Sequence, residues 1–346
     1  MELPSIVVDD KGTRLSYVDS GVPQHVSTDG GPYITLFAVH GMTFSASVYE
    51  KVVSLAPTSG VRFVAITRRD YPGSTPLTPD DISLLKSGGD AEMESFLKAR
   101  AVELANFIDR VVEQNDIPPI SEDGKSGGFS LIGWSLGCAL ALSTVANINA
   151  LPAQSQARWA RGIRALILQE APSISIGSAP LPKSWSPHID TTMPPSARNA
   201  FFAQWVTSYF AHGDLSTRDP DALSYIVPAA TRAPSFWRMS AAASAPGPGD
   251  DSDLAFLYAC GAQRRTAYLR ACFDARVRAR VPHMRVAAFV GDATCSFSFG
   301  GLWDMERDAE ERGGDHIRFK MVPGANHFSH WDDPEATLET YIELST

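Results

Sequence analysis

Phe129-Ser130-Leu131-Ile132-Gly133 carries no charge and runs straight into Gly133-Trp134-Ser135-Leu136-Gly137, after which Leu136 to Ile148 consists of small and apolar residues. A short uncharged run suits a strand covered on both faces, and such strands belong to sheets whose parallel neighbours are joined by helices. The rest of the chain follows the same alternation. Ile6 to Val8, Leu15 to Val18, Tyr33 to Val39, Arg62 to Ile66, Ile163 to Leu168, Arg285 to Val290 and Ile317 to Val322 read as further strands. Helices are expected around Tyr49 to Ala56, from Asp90 to Asn115, near Leu302 to Arg312 and from Pro334 to Leu344. Thr75 to Gly89, rich in Pro, Asp, Ser and Gly, reads as a loop.

From Pro172 to about Pro282 strand signals disappear, prolines cluster and aromatic residues gather on helical stretches. The strand-helix alternation resumes afterwards. One α/β domain interrupted by an insertion therefore accounts for the 346 residues better than two tandem domains. The expected division is a core over 1–171 and 283–346 with a mainly helical cap over 172–282.

Composition narrows the partners. Lys+Arg 30 against Asp+Glu 39 gives a net charge of -9, which argues against a nucleic-acid groove. Cys138, Cys260, Cys272 and Cys295 lack metal-ligand spacing, so neither a zinc site nor a disulfide framework is expected. No secretory leader or long apolar span is evident, and the expectation is a soluble, cytoplasmic protein without a membrane partner. No phosphate loop or dinucleotide fingerprint occurs, so no cofactor is expected. The oligomeric state is left open.

Ser135 stands where a buried strand turns into a helix, between Gly133 and Gly137, and only small residues there let strand and helix approach closely enough for a sharp turn. With Leu15-Ser16-Tyr17-Val18-Asp19-Ser20-Gly21, His40-Gly41-Met42 and Asp70-Tyr71-Pro72-Gly73-Ser74-Thr75, this elbow makes nearly the whole chain resemble the α/β-hydrolase superfamily. The similarity is to its cap-bearing branch, which includes epoxide hydrolases, haloalkane dehalogenases and many esterases and lactonases. The resemblance implies the α/β-hydrolase fold, a mostly parallel central sheet with helices on both faces and a helical cap insertion. A serine at the elbow, where epoxide hydrolases and dehalogenases carry Asp, points to acyl chemistry.

A serine hydroxyl needs an imidazole base, itself held by a carboxylate. The resemblance places that base at His327, in Pro323-Gly324-Ala325-Asn326-His327-Phe328, with His330 as the rival. Two carboxylates compete for the third role. Glu170 ends the apolar strand Leu166-Ile167-Leu168 and would need a cationic or donor partner if buried. Asp292 follows Phe289-Val290-Gly291, but Thr294 fills the slot where the family usually carries its acid. Backbone N–H groups of Met42 and Leu136 match the family's oxyanion hole.

Aromatic residues of the insertion suit an apolar small-molecule substrate, and Arg264, Arg265, Arg270, Arg276, Arg278 and Arg280 are expected to form a solvated helix face. The expected function is hydrolysis of an ester or lactone through an acyl-enzyme on Ser135. Alternatives are a lyase, transferase or cyclase using the same residues in natural-product metabolism, or a receptor-like ligand-binding protein.

Overall fold

The computed structural model describes residues 3–24, 26, 31–245 and 250–346. Its sheet contains eight strands among the described residues: β1 (Ser5–Val7), β2 (Arg14–Asp19), β3 (Ile34–Val39), β4 (Val61–Ile66), β5 (Phe129–Trp134), β6 (Ile163–Gln169), β7 (Arg285–Gly291) and β8 (Arg318–Val322). The spatial order is β1-β2-β4-β3-β5-β6-β7-β8. Pairing is parallel from β4 across to β8, while β1 and β2 enter antiparallel at one edge.

Every residue of β3, β4, β5 and β6 is buried, as the lack of charge in β5 predicts. The pleat sends alternate side chains to opposite faces. Phe37 and Val39 pack into one apolar layer with α3 (Asp90–Gln114) and α4 (Gly137–Ala146), whereas Leu36 and Ala38 pack into a second with α1 (Glu50–Leu55) and α12 (Pro334–Ser345). Helices thus cover both faces. The connections from β3 and β5 leave in opposite directions, so a crevice opens at their C-terminal ends, the usual place for a ligand in such sheets.

Three elements depart from the sequence reading. The expected loop over Thr75 to Gly89 contains α2 (Pro79–Ser87), started by a reciprocal cap in which Thr78 Oγ1 accepts from Asp81 N and Asp81 accepts from Thr78 N. Its polar, proline-led sequence imitates a loop while being a good helix start. A further helix, α5 (Ala153–Gly162), precedes β6. The helix after β7, α10 (Ser296–Glu311), begins well before Leu302 because its first turns are buried all round and show no apolar periodicity.

Between β6 and β7 the described residues form no strand but hold α6 (Pro195–Val206), α7 (Asp250–Tyr258), α8 (Gly261–Phe273), α9 (Ala275–Arg278) and short 3-10 turns. Helix α8 packs against α4 of the core. The arginine series on α8 and α9 is not a single solvated face. Arg264 is 1% exposed and donates to the carbonyls of Phe256, Leu257 and Ile174, capping the C-terminal end of α7. Burial pulls it down to about 10. Arg265 pairs with Asp308 at 2.6 Å, and only Arg276 and Arg280 of the series are exposed. All four cysteines are unpaired and buried, and no described helix is long and apolar enough to cross a membrane.

Candidate active site

The turn after β5 puts Ser135 at φ 55°, a left-handed conformation that a non-glycine residue adopts only under strain. Both flanking glycines are sterically required. A Cβ on Gly133 would lie 2.6 Å from Cys138 Cα, and one on Gly137 would lie 2.3 Å from the Val39 carbonyl oxygen. The turn is anchored by Ser135 N–H donating to Gln169 O at 2.9 Å. Ser135 therefore projects from the head of α4 into a cavity of about 260 Å³ whose other lining residues include Met42, Leu136, Trp185, Phe202 and Phe297. Among the described residues no Asp, Glu, Lys or Arg lines it.

Glu170 follows β6 at φ 54°, fully buried. Its Oε1 accepts from Gly291 N–H at 2.6 Å, and its Oε2 accepts from Thr294 Oγ1 at 2.5 Å and lies 3.1 Å from His327 Nδ1. Three donors thus satisfy a carboxylate that would otherwise be costly to bury. Thr294, in the slot expected for an acid, is instead a donor to the acid from the neighbouring strand. Asp292 is not brought to His327: its Oδ1 accepts from Gly324 N–H at 2.6 Å and braces the turns that follow β7 and β8.

His327 is 1% exposed and held on every side. Its carbonyl accepts from Trp134 Nε1 at 3.0 Å, and its ring packs edge-on to Phe297 at 5.1 Å and beside Trp134 at 5.4 Å. These are the residue preceding Ser135 and a wall of the same cavity. With Nδ1 facing Glu170, Nε2 is left buried and without a hydrogen-bond partner. Asn326 fixes the approach by donating to Thr207 O and Ser235 Oγ, both at 2.8 Å, and Ser298 Oγ lies 3.4 Å from His327 Nδ1. His330 sits apart from the cavity lining, its Nδ1 3.2 Å from Gln169 Nε2 and its ring against Trp134 and Tyr49. Burial, then the neighbouring His327, holds it well below the ordinary histidine value.

The loop after β3 closes the other side of Ser135, so tightly that a Cβ on Gly41 would lie 2.8 Å from Ser135 Cβ. The N–H groups of Met42 and Leu136 donate to no other described group. Gly41 O is fixed by Arg68 at 2.8 Å and by His40 Nδ1 at 2.9 Å, while His40 Nε2 accepts from Arg68 N–H at 3.0 Å. His40 is consequently a neutral imidazole, held well below its ordinary value by burial and then by Arg68. Arg68 in turn pairs with Asp253 of α7 at 2.8 Å; Asp253 also accepts from Tyr71 Oη and from Thr43 N–H.

The structure thus brings Ser135, Met42 and Leu136 to one cavity and Glu170 to His327, and leaves Asp292 and His330 outside. Ser298, Asn326 and the Arg68–Asp253 pair were not legible in the sequence, since their contacts span 29 to 185 residues and no motif marks them. The family model that matches residues 36–340 is described as the alpha/beta hydrolase family. Among solved structures, an esterase from Rhodococcus sp. ECU1013 is 16% identical over 100% of both chains with a TM-score of 0.52. The thioesterase domain from the curacin biosynthetic pathway is 14% identical over 99% of this chain and 100% of that one, with a TM-score of 0.51. At such identities the likeness is one of fold. No curated protein matches the chain.

Proposed function

Because the chain belongs to the alpha/beta hydrolase family, we propose that it is a serine hydrolase that cleaves an uncharged, mainly apolar ester or lactone through an acyl-enzyme on Ser135. The segment between β6 and β7 acts as the cap over the cavity. The observation that carries this reading is the buried Glu170–His327 pair, whose Nε2 has no hydrogen-bond partner among the described residues and whose ring packs on Phe297 of the Ser135 cavity and on Trp134, the residue before Ser135.

In this scheme His327 Nε2 takes the Ser135 proton as Oγ attacks the acyl carbon, and the carbonyl oxygen becomes an oxyanion met by the N–H groups of Met42 and Leu136. The C–O bond to the alcohol breaks as His327 returns the proton to the leaving oxygen. Water then gives a proton to His327 and attacks the acyl carbon, and the proton returns to Ser135 as the acid departs. Glu170 keeps Nδ1 protonated and stabilises the imidazolium. The cavity's lack of ionised side chains favours an uncharged substrate.

A fluorophosphonate probe is expected to add once to the intact protein and not to Ser135→Ala. A panel of p-nitrophenyl esters and simple lactones should be turned over, with activity lost in His327→Ala. Labelling without hydrolysis of any panel member would favour a lyase or transferase, and no labelling at all would overturn the nucleophile.

A further inference from the structure

Residues 180–189 supply one continuous wall of the Ser135 cavity: Pro180, Leu181, Ser184, Trp185, Ser186, His188 and Ile189. Within this wall His188 is the only titratable side chain. It is 9% exposed, its ring lies tilted on Phe202 with centroids 4.4 Å apart, and its Nε2 is buried without a hydrogen-bond partner. No described residue bonds Nδ1 either. The segment that carries it is held by Trp185 Nε1 donating to Asp190 Oδ2 and Ile189 N–H donating to Ser186 O, both at 3.1 Å.

A buried imidazole with no partner is costly unless something meets it, since leaving a donor or acceptor unpaired forfeits its hydration. Each of the other buried histidines has at least one ring nitrogen bonded by the protein, His40 to the Gly41 loop, His327 to Glu170 and His330 to Gln169, although His327 and His330 also keep an unpartnered Nε2. His188 alone among the buried histidines has neither ring nitrogen bonded to a described residue, and it lines the Ser135 cavity. Burial, then the Arg198 guanidinium, lowers it to about 4, against a smaller opposing pull from Asp253, so at neutral pH it is an uncharged group with one donor and one acceptor.

We propose that His188 is the specificity-determining residue of this cavity and selects acyl substrates that carry one uncharged hydrogen-bonding group, a hydroxyl or a carbonyl, on an otherwise apolar chain. A carboxylate at that position is disfavoured, because no cation among the described residues lines the cavity to receive it. The proposal rests on the reading of Ser135 as nucleophile only for the position of the reacting carbonyl; recognition by His188 stands without turnover.

The test uses p-nitrophenyl esters of one medium-length fatty acid with a hydroxyl or oxo group stepped along the chain, beside the unsubstituted ester and an ω-carboxylate. The protein is expected to prefer one substituted position about tenfold in kcat/KM, the worth of one hydrogen bond in a desolvated site. His188→Phe, which keeps the aromatic contact with Phe202, should erase that preference, so that substituted and unsubstituted esters differ by no more than about twofold in kcat/KM within the variant. His188→Gln, which keeps a donor and an acceptor, should retain part of it. Calorimetric binding of the corresponding methyl esters to Ser135→Ala provides the second readout: a substituted ester that binds more tightly, and loses this advantage on His188→Phe, supports the proposal even if no ester is hydrolysed. Equal treatment of all positions in both assays, or a preference that survives His188→Phe, overturns it.

Discussion

Glu170 shows how much chemistry one position can concentrate. A carboxylate at the end of an uncharged strand is readable from sequence as a group that must be paired, and the structure supplies Gly291 N–H, Thr294 Oγ1 and His327 as its partners. Those partners come from two other strand ends, more than a hundred residues away, which is why Thr294 looked like a missing acid rather than a donor to one. Glu170→Gln keeps the volume but presents an amide to Nδ1, which favours the wrong tautomer and cannot stabilise an imidazolium. Ester turnover, read as kcat, is expected to fall roughly a thousandfold or more. Asp292→Asn alters only a turn brace and should change kcat by no more than about twofold. Equal losses in the two variants would mean that Glu170 does not serve His327 as argued.

Among the elements, α7 links the segment between β6 and β7 to the loop that abuts Ser135. Asp253 reaches down to Arg68, Tyr71 and Thr43, while Leu257 and Tyr258 of the same helix line the cavity. One buried ion pair therefore sets both a cavity wall and the Gly41–Thr43 loop. Asp253→Asn leaves the Arg68 guanidinium buried without its counter-charge, a change expected to cost about 3 kcal/mol in urea unfolding. With the wall and loop no longer held together, kcat/KM should also drop by about tenfold or more, because small misplacements at a reacting centre are expensive. Adding Arg68→Met should recover part of the stability; strictly additive losses would show that the pair is not coupled. Sequence patterning made the strands and most core helices legible because burial on two faces leaves an unbroken apolar run. It could not reveal Asp253, whose partner lies 185 residues away, or Arg264, whose charge suggested solvent while its real role is to cap the carbonyls of α7. Helix α2 was missed for the opposite reason: its start is entirely polar, so only Thr78, Pro79 and Asp81 announce it.

Across the whole molecule, the buried histidines give stability a distinctive dependence on pH. His40, His188 and His330 are each depressed from the ordinary value of 6.5, His40 by burial and Arg68, His188 by burial and Arg198 to about 4, and His330 by burial and His327. Below 6.5 the unfolded chain takes up protons that the folded chain refuses, so stability is greatest above 6.5 and falls as the pH is lowered. For His188 the loss continues down to about 4 and amounts to roughly 3 kcal/mol at most. The depressed carboxylates act in a separate, more acid window: Asp81 and Asp308, with folded values below 3.8, give up their contribution only as the pH drops beneath that value. Urea unfolding between pH 7.5 and 4.5 should therefore stay level down to about 6.5 and then decline, before any carboxylate with a lowered value begins to matter. In His188→Phe the decline should be shallower by up to about 2 kcal/mol at pH 4.5, because one proton-refusing site is gone. A flat profile over that range would mean that these imidazoles accept protons in the folded state, and would remove the argument that His188 meets its ligand uncharged.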